Sequence, residues 1–194
     1  MTHLVNNTSR LAFMRNESLR VAGPTPELFQ YIRKHRLDVA TVTAHAGYIN
    51  IALAAFMADT FLFDSDGEPA VVIKALLFDL DREQVTADLV AWPVGDPEAF
   101  ATAMGSNDGA AILAPQNMVQ RRGEPLEVHR SPLAWIKAGC SGCVALKPAA
   151  RHWLHKAGGP FIAEDAEHGR ELRELLGANA LRHRILIPNM RAAA

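Results

Sequence analysis

The apolar residues of the N-terminal half first follow the spacing of an amphipathic helix. Thr25 and Pro26 precede an apolar stripe that starts at Leu28, which is the pattern of a capped helix, and we predict this helix over 25–37. The longest apolar run, "INIALAAFMA", predicts a second and more buried helix over about 46–58.

The pattern then changes to short runs rich in β-branched and aromatic residues. The first three are separated by the polar segments "DSDGEP" and "DLDREQV", and such short connections favour an antiparallel meander. The later runs alternate with helical segments, which is typical of parallel βαβ units. We predict strands at 60–63, 70–78, 86–94, 110–114, 125–129, 143–147, 160–163 and 184–187, a short helix from Asp96 and Pro97, and helices at 132–138, 148–157 and 166–176.

These elements predict an α/β protein with a mixed sheet. The N-terminal half is expected to carry the antiparallel meander, and the C-terminal half a small Rossmann-like βαβαβ arrangement. The predicted boundaries are an irregular N-terminal arm over 1–24, helices plus meander over 25–105, and the Rossmann-like region over 106–190. The alternative is one continuous domain in which the last two regions share a sheet.

Composition and charge narrow the classes of partner. The chain has 194 residues, of which 49% are hydrophobic and 21% charged, as in ordinary globular proteins. Its formal net charge of −1 gives no general attraction to phosphate backbones or anionic membranes, so we expect a protein partner or self-association, and nucleic acid only through a local basic patch.

The N-terminus lacks the pattern of a secretory signal, and the longest apolar run is shorter than the roughly 20 residues of a membrane span. We therefore expect a cytoplasmic protein without a membrane segment.

Both cysteines lie in "AGCSGCVALKP", spaced as C-x-x-C. A redox pair places its nucleophilic thiol at a helix N-terminus, where the helix dipole lowers the thiol pKa. Here a predicted helix precedes the motif and a strand follows it, so Cys140 meets the negative end of the helix and Gly139 terminates that helix. This order favours a buried turn that starts a strand at Cys143.

Zinc binding is the second interpretation of the thiols. Cys140, Cys143, His152 and His155 give the spacing C-x2-C-x8-H-x2-H, and all four are zinc-ligand types. On the predicted helix, however, both histidines lie opposite the apolar arc that faces the sheet. A structural zinc site is therefore an alternative to a solvated helix face. We predict no cofactor, with a divalent metal as the alternative.

Another candidate site lies where "PFIAEDAEHGRELRELLG" passes from strand to helix. Glu164 and Asp165 follow the strand, Asp165 is placed to cap the helix, and His168 falls on the buried arc. Lys147 lies at the same edge of the preceding strand, and open parallel sheets bind ligands at their carboxyl edge. These four residues are candidates for an acid–base or metal-assisted catalytic set. The alternative is a helix cap, a salt bridge and a buried histidine.

Three short motifs resemble parts of known sites. "LLFDLDRE" resembles the D-x-D of haloacid-dehalogenase-like phosphatases, which implies Asp79 as a nucleophile beside Asp81, but the usual continuation is absent and turn formation is favoured. "DSDG" resembles the start of a calcium loop. Such a loop needs a glutamate at its twelfth position, where this chain has Ala75, so the segment is predicted to be a turn. "AEDAEHGRE" resembles the D-x-D-x-x-G stretch of Toprim domains, with Ala166 in place of the second acid.

The blocks "EVHRSPLAWIKAGCSGCVAL" and "FIAEDAEHGRELRELL" resemble uncharacterised proteins encoded in proteobacterial chromosomes and prophage-like regions. This resemblance implies a bacterial or phage-associated context and transfers no catalytic residue. Because no catalytic signature is complete, the leading hypothesis is a non-catalytic accessory or protein-interaction protein. The alternatives are a metal-dependent enzyme of degenerate Toprim-like or phosphoryl-transfer type, acting on a nucleic-acid or phosphorylated substrate, and a structural zinc-binding protein.

Overall fold

The structure, a computed structural model, is a mixed α/β fold with two sheets of five strands each. It describes residues 12, 25–40, 49–78, 84–105, 109–120, 124–177 and 184–188. The first sheet contains β1 (Asn50–Met57), β2 (Thr60–Phe63), β3 (Glu68–Phe78), β4 (Gln84–Pro93) and β5 (Ala101–Thr102). The second contains β6 (Ile112–Leu113), β7 (Leu126–His129), β8 (Cys143–Ala145), β9 (Phe161–Ile162) and β10 (Ile185–Leu186). The helices whose full extent the structure describes are α1 (Pro26–His35), α2 (Gln116–Gln120), α3 (Pro132–Lys137), α4 (Ala150–Ala157) and α5 (Ala166–Leu176).

The first sheet closes into a small barrel in the order β1-β2-β5-β4-β3. β1 pairs antiparallel with both β2 and β3, and β3 pairs antiparallel with β4. The predicted meander is therefore wrong in one respect, because β1 lies between β2 and β3. Small and apolar side chains fill the interior: Ala52, Ala54, Phe61, Ala70, Val72, Leu89, Ala91, Ala101 and Ala103.

Two helices predicted for this half are wrong. The run predicted as a helix over 46–58 contains β1, in which alternate residues such as Ala52 and Ala54 face the barrel interior. Alanine side chains suit the narrow interior of a five-stranded barrel, although alanine favours helix in isolation. The helix predicted from Asp96 is a series of turns.

The second sheet has the order β10-β9-β7-β8-β6. β6 is antiparallel to its neighbour, and the other four strands are parallel. The predicted alternation of strands and helices is confirmed in the described residues, with α2 as an addition. Helices α4 and α5 bury Leu154 and Leu172 against Phe161 and its neighbours in the sheet.

An apolar layer joins the barrel to the second sheet. It includes Val71 and Trp92 from the outward faces of β3 and β4, and Trp135 and Val144 from the second half. Trp92 also donates a hydrogen bond from Nε1 to the hydroxyl of Tyr31 on α1 over 2.9 Å. Because β3 is buried on both faces, its sequence is a nearly continuous apolar run.

The helix predicted over 25–37 is confirmed as α1. The hydroxyl of Thr25 accepts a hydrogen bond from the backbone N–H of Leu28 over 3.2 Å, and Arg36 ends the helix in the left-handed conformation. On the outer face of α1, Phe29 is exposed by 50%. Among the described residues, no helix combines the length and the apolar character needed to cross a lipid bilayer.

Candidate functional site

A buried ion pair connects the barrel to the second sheet. Lys147, which follows β8, donates a hydrogen bond from Nζ to Oδ2 of Asp88 on β4 over 3.0 Å. The two side chains are exposed by only 4% and 0%. The sequence predicts Lys147 beside Glu164; in the structure β7 lies between β8 and β9, and this ion pair of Lys147 is made with the barrel.

Three backbone groups also donate hydrogen bonds to Asp88. Its Oδ1 accepts from the N–H groups of Leu89 and Met104, at 2.9 and 3.1 Å, and its Oδ2 accepts from Ala110 at 3.2 Å. Burial raises the pKa of the Asp88 carboxyl, and the positive charge of Lys147 opposes this increase. Sequence reasoning misses Asp88, because an aspartate in "TADLVAW" is typical of the solvent face of a strand.

Gly109 completes the surroundings of the Asp88 carboxylate. Its φ is +72°, and a Cβ atom at this position would collide with Asp88 Oδ2. The carboxylate is therefore enclosed by backbone and by Lys147. This arrangement is suited to holding the two sheets together, and it offers no exposed acid or base to a substrate.

Arg130 is the centre of a second arrangement, at the carboxyl edge of the second sheet. It directly follows β7, and its guanidinium donates two hydrogen bonds to Asp165, at 3.3 and 3.2 Å, and one to Glu171 at 3.1 Å. Its backbone N–H donates to Oε1 of Glu164 over 3.0 Å. Glu171 and Asp165 hold the pKa of Arg130 above its ordinary value. We call Arg130, Glu164, Asp165, His168 and Glu171 the edge cluster.

Asp165 and His168 form the start of α5. Asp165 Oδ1 accepts a hydrogen bond from the backbone N–H of His168 over 2.7 Å, which confirms the predicted N-cap. This bond and the hydrogen bonds from Arg130 lower the pKa of Asp165. His168 is buried, and its Nδ1 accepts a hydrogen bond from the backbone N–H of Glu164 over 3.1 Å. Burial lowers the pKa of His168, so the ring is neutral at neutral pH.

The edge cluster brings three of the four predicted catalytic residues together, but as partners of one another. Asp165 is engaged by the N-cap and by Arg130, and Glu164 Oε1 also lies 3.5 Å from Nδ1 of His129. A general acid or base has to reach a substrate proton. The geometry therefore matches the predicted alternative of a helix cap, salt bridges and a buried histidine. The role of Arg130 can be inferred from the sequence only when the strand order is known, because Arg130 follows β7, the central strand of the second sheet.

The CSGC segment connects α3 to β8 as a buried turn. Gly139 has a φ of +70°, as expected of the residue that ends a helix. Asn117 of α2 donates hydrogen bonds from Nδ2 to the carbonyl oxygens of Cys140 and Gly142, at 3.1 and 2.6 Å. Burial raises the pKa of the Cys140 thiol to about 11 and that of Cys143 to about 12, the opposite of a reactive thiol.

The predicted zinc ligands have different surroundings. Both cysteines are buried free thiols, whereas His152 is exposed and His155 half-buried on α4. Within the described ranges, no three histidine, cysteine or acidic side chains are grouped so that they can hold a metal ion. Asp79 and Asp81 of the D-x-D motif lie outside these ranges. The metal hypotheses stay predictions, to be tested by metal analysis.

Large apolar side chains are exposed on the outer face of the barrel. Leu53 and Met57 on β1 and Leu62 on β2 are exposed by 44%, 48% and 37%. Leu62 is paired with Ala55, which lies midway between the two β1 residues, so the side chains form one patch. We call Leu53, Ala55, Met57 and Leu62 the hairpin surface.

An open groove adjoins the hairpin surface at Leu53. Its volume is about 580 Å³, and Thr25 lies in its wall. Among the described residues, its apolar lining includes Ile51, Leu53, Phe63 and Pro69, and its charged lining consists of Glu27 and Asp64. The candidate sites are therefore the buried pair, the edge cluster, and the hairpin surface with its groove.

No protein-family model, no curated protein and no solved structure matches this chain.

Proposed function

We propose that this protein is a non-catalytic interaction protein that binds a protein partner through the hairpin surface. The observation that carries the proposal is the exposed patch formed by Leu53, Met57 and Leu62. In this proposal the Rossmann-like second half supports the barrel. A cytoplasmic accessory role in a bacterium or a prophage fits the resemblance of the C-terminal half.

The hairpin surface has enough apolar area to contribute to affinity. Full burial of one leucine or methionine side chain contributes about 1.5–3 kcal/mol. Because Leu53, Met57 and Leu62 are already more than half buried, each gains about 1 kcal/mol when a partner covers it. The sum of about 3 kcal/mol corresponds to more than a hundredfold in affinity.

The charged side chains within the β1–β2 hairpin and its connection to β3 are all acidic. Residues 49–70 contain Asp59, Asp64, Asp66 and Glu68, but no lysine or arginine. Asp59 belongs to the turn between β1 and β2, and the other three to the connection from β2 into β3. The partner that this chemistry favours is an apolar segment flanked by basic side chains.

A photo-crosslinking amino acid at position 62 tests the proposal in cells that naturally express the protein. We expect a specific adduct from position 62 and none from position 29, which is the control because Phe29 on α1 is exposed by 50%, more than the 37% of Leu62. The crosslinked protein is then purified for direct binding. The proposal fails if no specific adduct forms at position 62, or if purified partner binds Leu62→Asp as tightly as the wild type.

The metal-dependent enzyme is the competing function, and it uses Glu164 and Asp165. The contacts within the edge cluster support the interaction role over it, because these side chains are engaged with Arg130 and His168. The enzyme predicts that Mg²⁺ or Mn²⁺ raises the melting temperature and that Glu164→Ala with Asp165→Ala abolishes the increase. The interaction role predicts no such increase.

A further inference from the structure

We infer that the groove beside the hairpin surface binds a basic, apolar segment, and that its occupant is the N-terminal segment of this same chain. The N-terminal segment is residues 1–24, of which the structure describes only Ala12. The inference deepens the proposed function, and its regulatory meaning rests on that proposal: a docked N-terminal segment competes with the partner at Leu53.

The groove combines apolar and acidic lining residues. Ile51, Leu53 and Phe63 supply apolar side chains, and the exposed residues Glu27 and Asp64 supply negative charge. A volume of about 580 Å³ accommodates several side chains. An occupant that matches this groove carries a short apolar run between positive charges.

The N-terminal segment has this chemistry. It contains Arg10, Arg15 and Arg20 against a single acidic residue, Glu17. The apolar run "LAFM" fills the interval between the first two arginines. The segment is therefore basic in a chain whose net charge is −1, and its charge is opposite to that of the groove.

The point of attachment favours this segment over other occupants. Thr25, the first residue after the segment, lies in the groove wall. A segment tethered at its own binding site has an effective concentration on the order of millimolar. The ten residues from Arg15 to Pro24 link the apolar run "LAFM" to Thr25. Ten residues of extended chain span about 33 Å, so this link is long enough for the run to reach the groove. A second copy of the chain has no such advantage at low concentration.

Limited trypsin digestion of the full chain, with cleavage after Arg15 followed by mass spectrometry, tests the inference. We expect slow cleavage in the wild type and about fivefold faster cleavage in Leu53→Ser, because serine removes an apolar contact with the docked segment. Glu27→Lys keeps the apolar lining and reverses the charge of one lining residue, so it is expected to accelerate cleavage as well. Phe29→Ser is the matched control and is expected to keep the wild-type rate, since Phe29 is 50% exposed outside the groove lining.

Equal cleavage rates in the wild type, Leu53→Ser and Glu27→Lys would overturn the inference. Protection that increases with protein concentration would also overturn it, because the occupant would then be a second copy. The proposed function is tested separately at Leu62, which does not line the groove. If Leu62→Asp loses partner binding while all cleavage rates are equal, the interaction surface stands and the docked segment does not.

Discussion

Replacing Lys147 with methionine tests whether the buried ion pair holds the barrel to the second sheet. The substitution keeps an unbranched apolar side chain that is one atom shorter, and it deletes the positively charged ammonium group. Asp88 keeps its backbone donors from Leu89, Met104 and Ala110, but its buried charge loses the cation. Asp88→Ala is the complementary change, because it leaves the Lys147 ammonium group and the backbone N–H groups without this acceptor.

The expected loss of stability is large because both side chains are almost completely buried. Deleting one partner of a buried ion pair costs about 3–5 kcal/mol. We expect Lys147→Met near the lower limit, because Asp88 can become neutral by taking up a proton, and Asp88→Ala near the upper limit. The free energy of unfolding of an ordinary domain is about 5–15 kcal/mol, so either substitution removes a substantial part of it.

The cost of Lys147→Met is also expected to depend on pH. Burial raises the pKa of Asp88 in the folded protein, and loss of the neighbouring cation raises it further. A carboxyl group whose pKa is higher in the folded state binds more protons when folded, so stability falls as pH rises through the folded-state pKa. The stability deficit of Lys147→Met relative to the wild type should therefore be smaller at about pH 5 than at about pH 7.5.

Urea unfolding followed by tryptophan fluorescence measures this prediction, since Trp92 and Trp135 both lie in the layer between the sheets. Lys156→Met is the matched control: Lys156 is exposed on α4, and its replacement should change stability by less than about 0.5 kcal/mol. If Lys147→Met lowers the free energy of unfolding by less than about 1 kcal/mol at neutral pH, or by the same amount at both pH values, the ion pair does not hold the barrel to the second sheet as described.

Three further predictions concern the edge cluster and the thiols. Asp165→Ala should lower the melting temperature at neutral pH. Because the folded state lowers the pKa of Asp165, this difference should vanish as pH falls through that lowered value, and a difference independent of pH contradicts the proposed cap. Cys140 and Cys143 should react with Ellman's reagent only as fast as the protein unfolds, since their pKa values are about 11 and 12, and rapid labelling of native protein argues against their burial. The zinc alternative predicts about one zinc per chain by elemental analysis, lost in Cys140→Ser, and metal-free protein with unchanged stability in chelator removes it.

The fold was predictable wherever local signals agree with the tertiary structure. The helix after Thr25 follows from its cap and its proline, and the alternating elements of the second half follow from short apolar runs between helical segments. β1 was not predictable in this way, because its alanines at 52 and 54 favour helix locally and are selected by the narrow barrel interior. The position of β1 between β2 and β3 depends on barrel closure, which no local pattern specifies.

In the candidate sites, too, the features set by local spacing were predictable and those set by tertiary contacts were not. The cap at Asp165 and the inward position of His168 follow from helical spacing. The partner of Lys147 does not, because Asp88 is far away in sequence and meets it only when the two sheets pack together. Arg130 likewise gains its role from the strand order, which places β7 beside β9. Tertiary contacts between distant segments are the information that periodicity lacks.

The most direct measurement of the proposed interaction role is the affinity of the partner crosslinked at position 62 for three purified proteins. The wild type and Phe29→Ser should bind with equal affinity. Leu62→Asp should bind at least about tenfold more weakly, because it places a charge in the hairpin surface where the partner excludes water. Equal affinity of all three proteins would contradict the assignment of function to this surface.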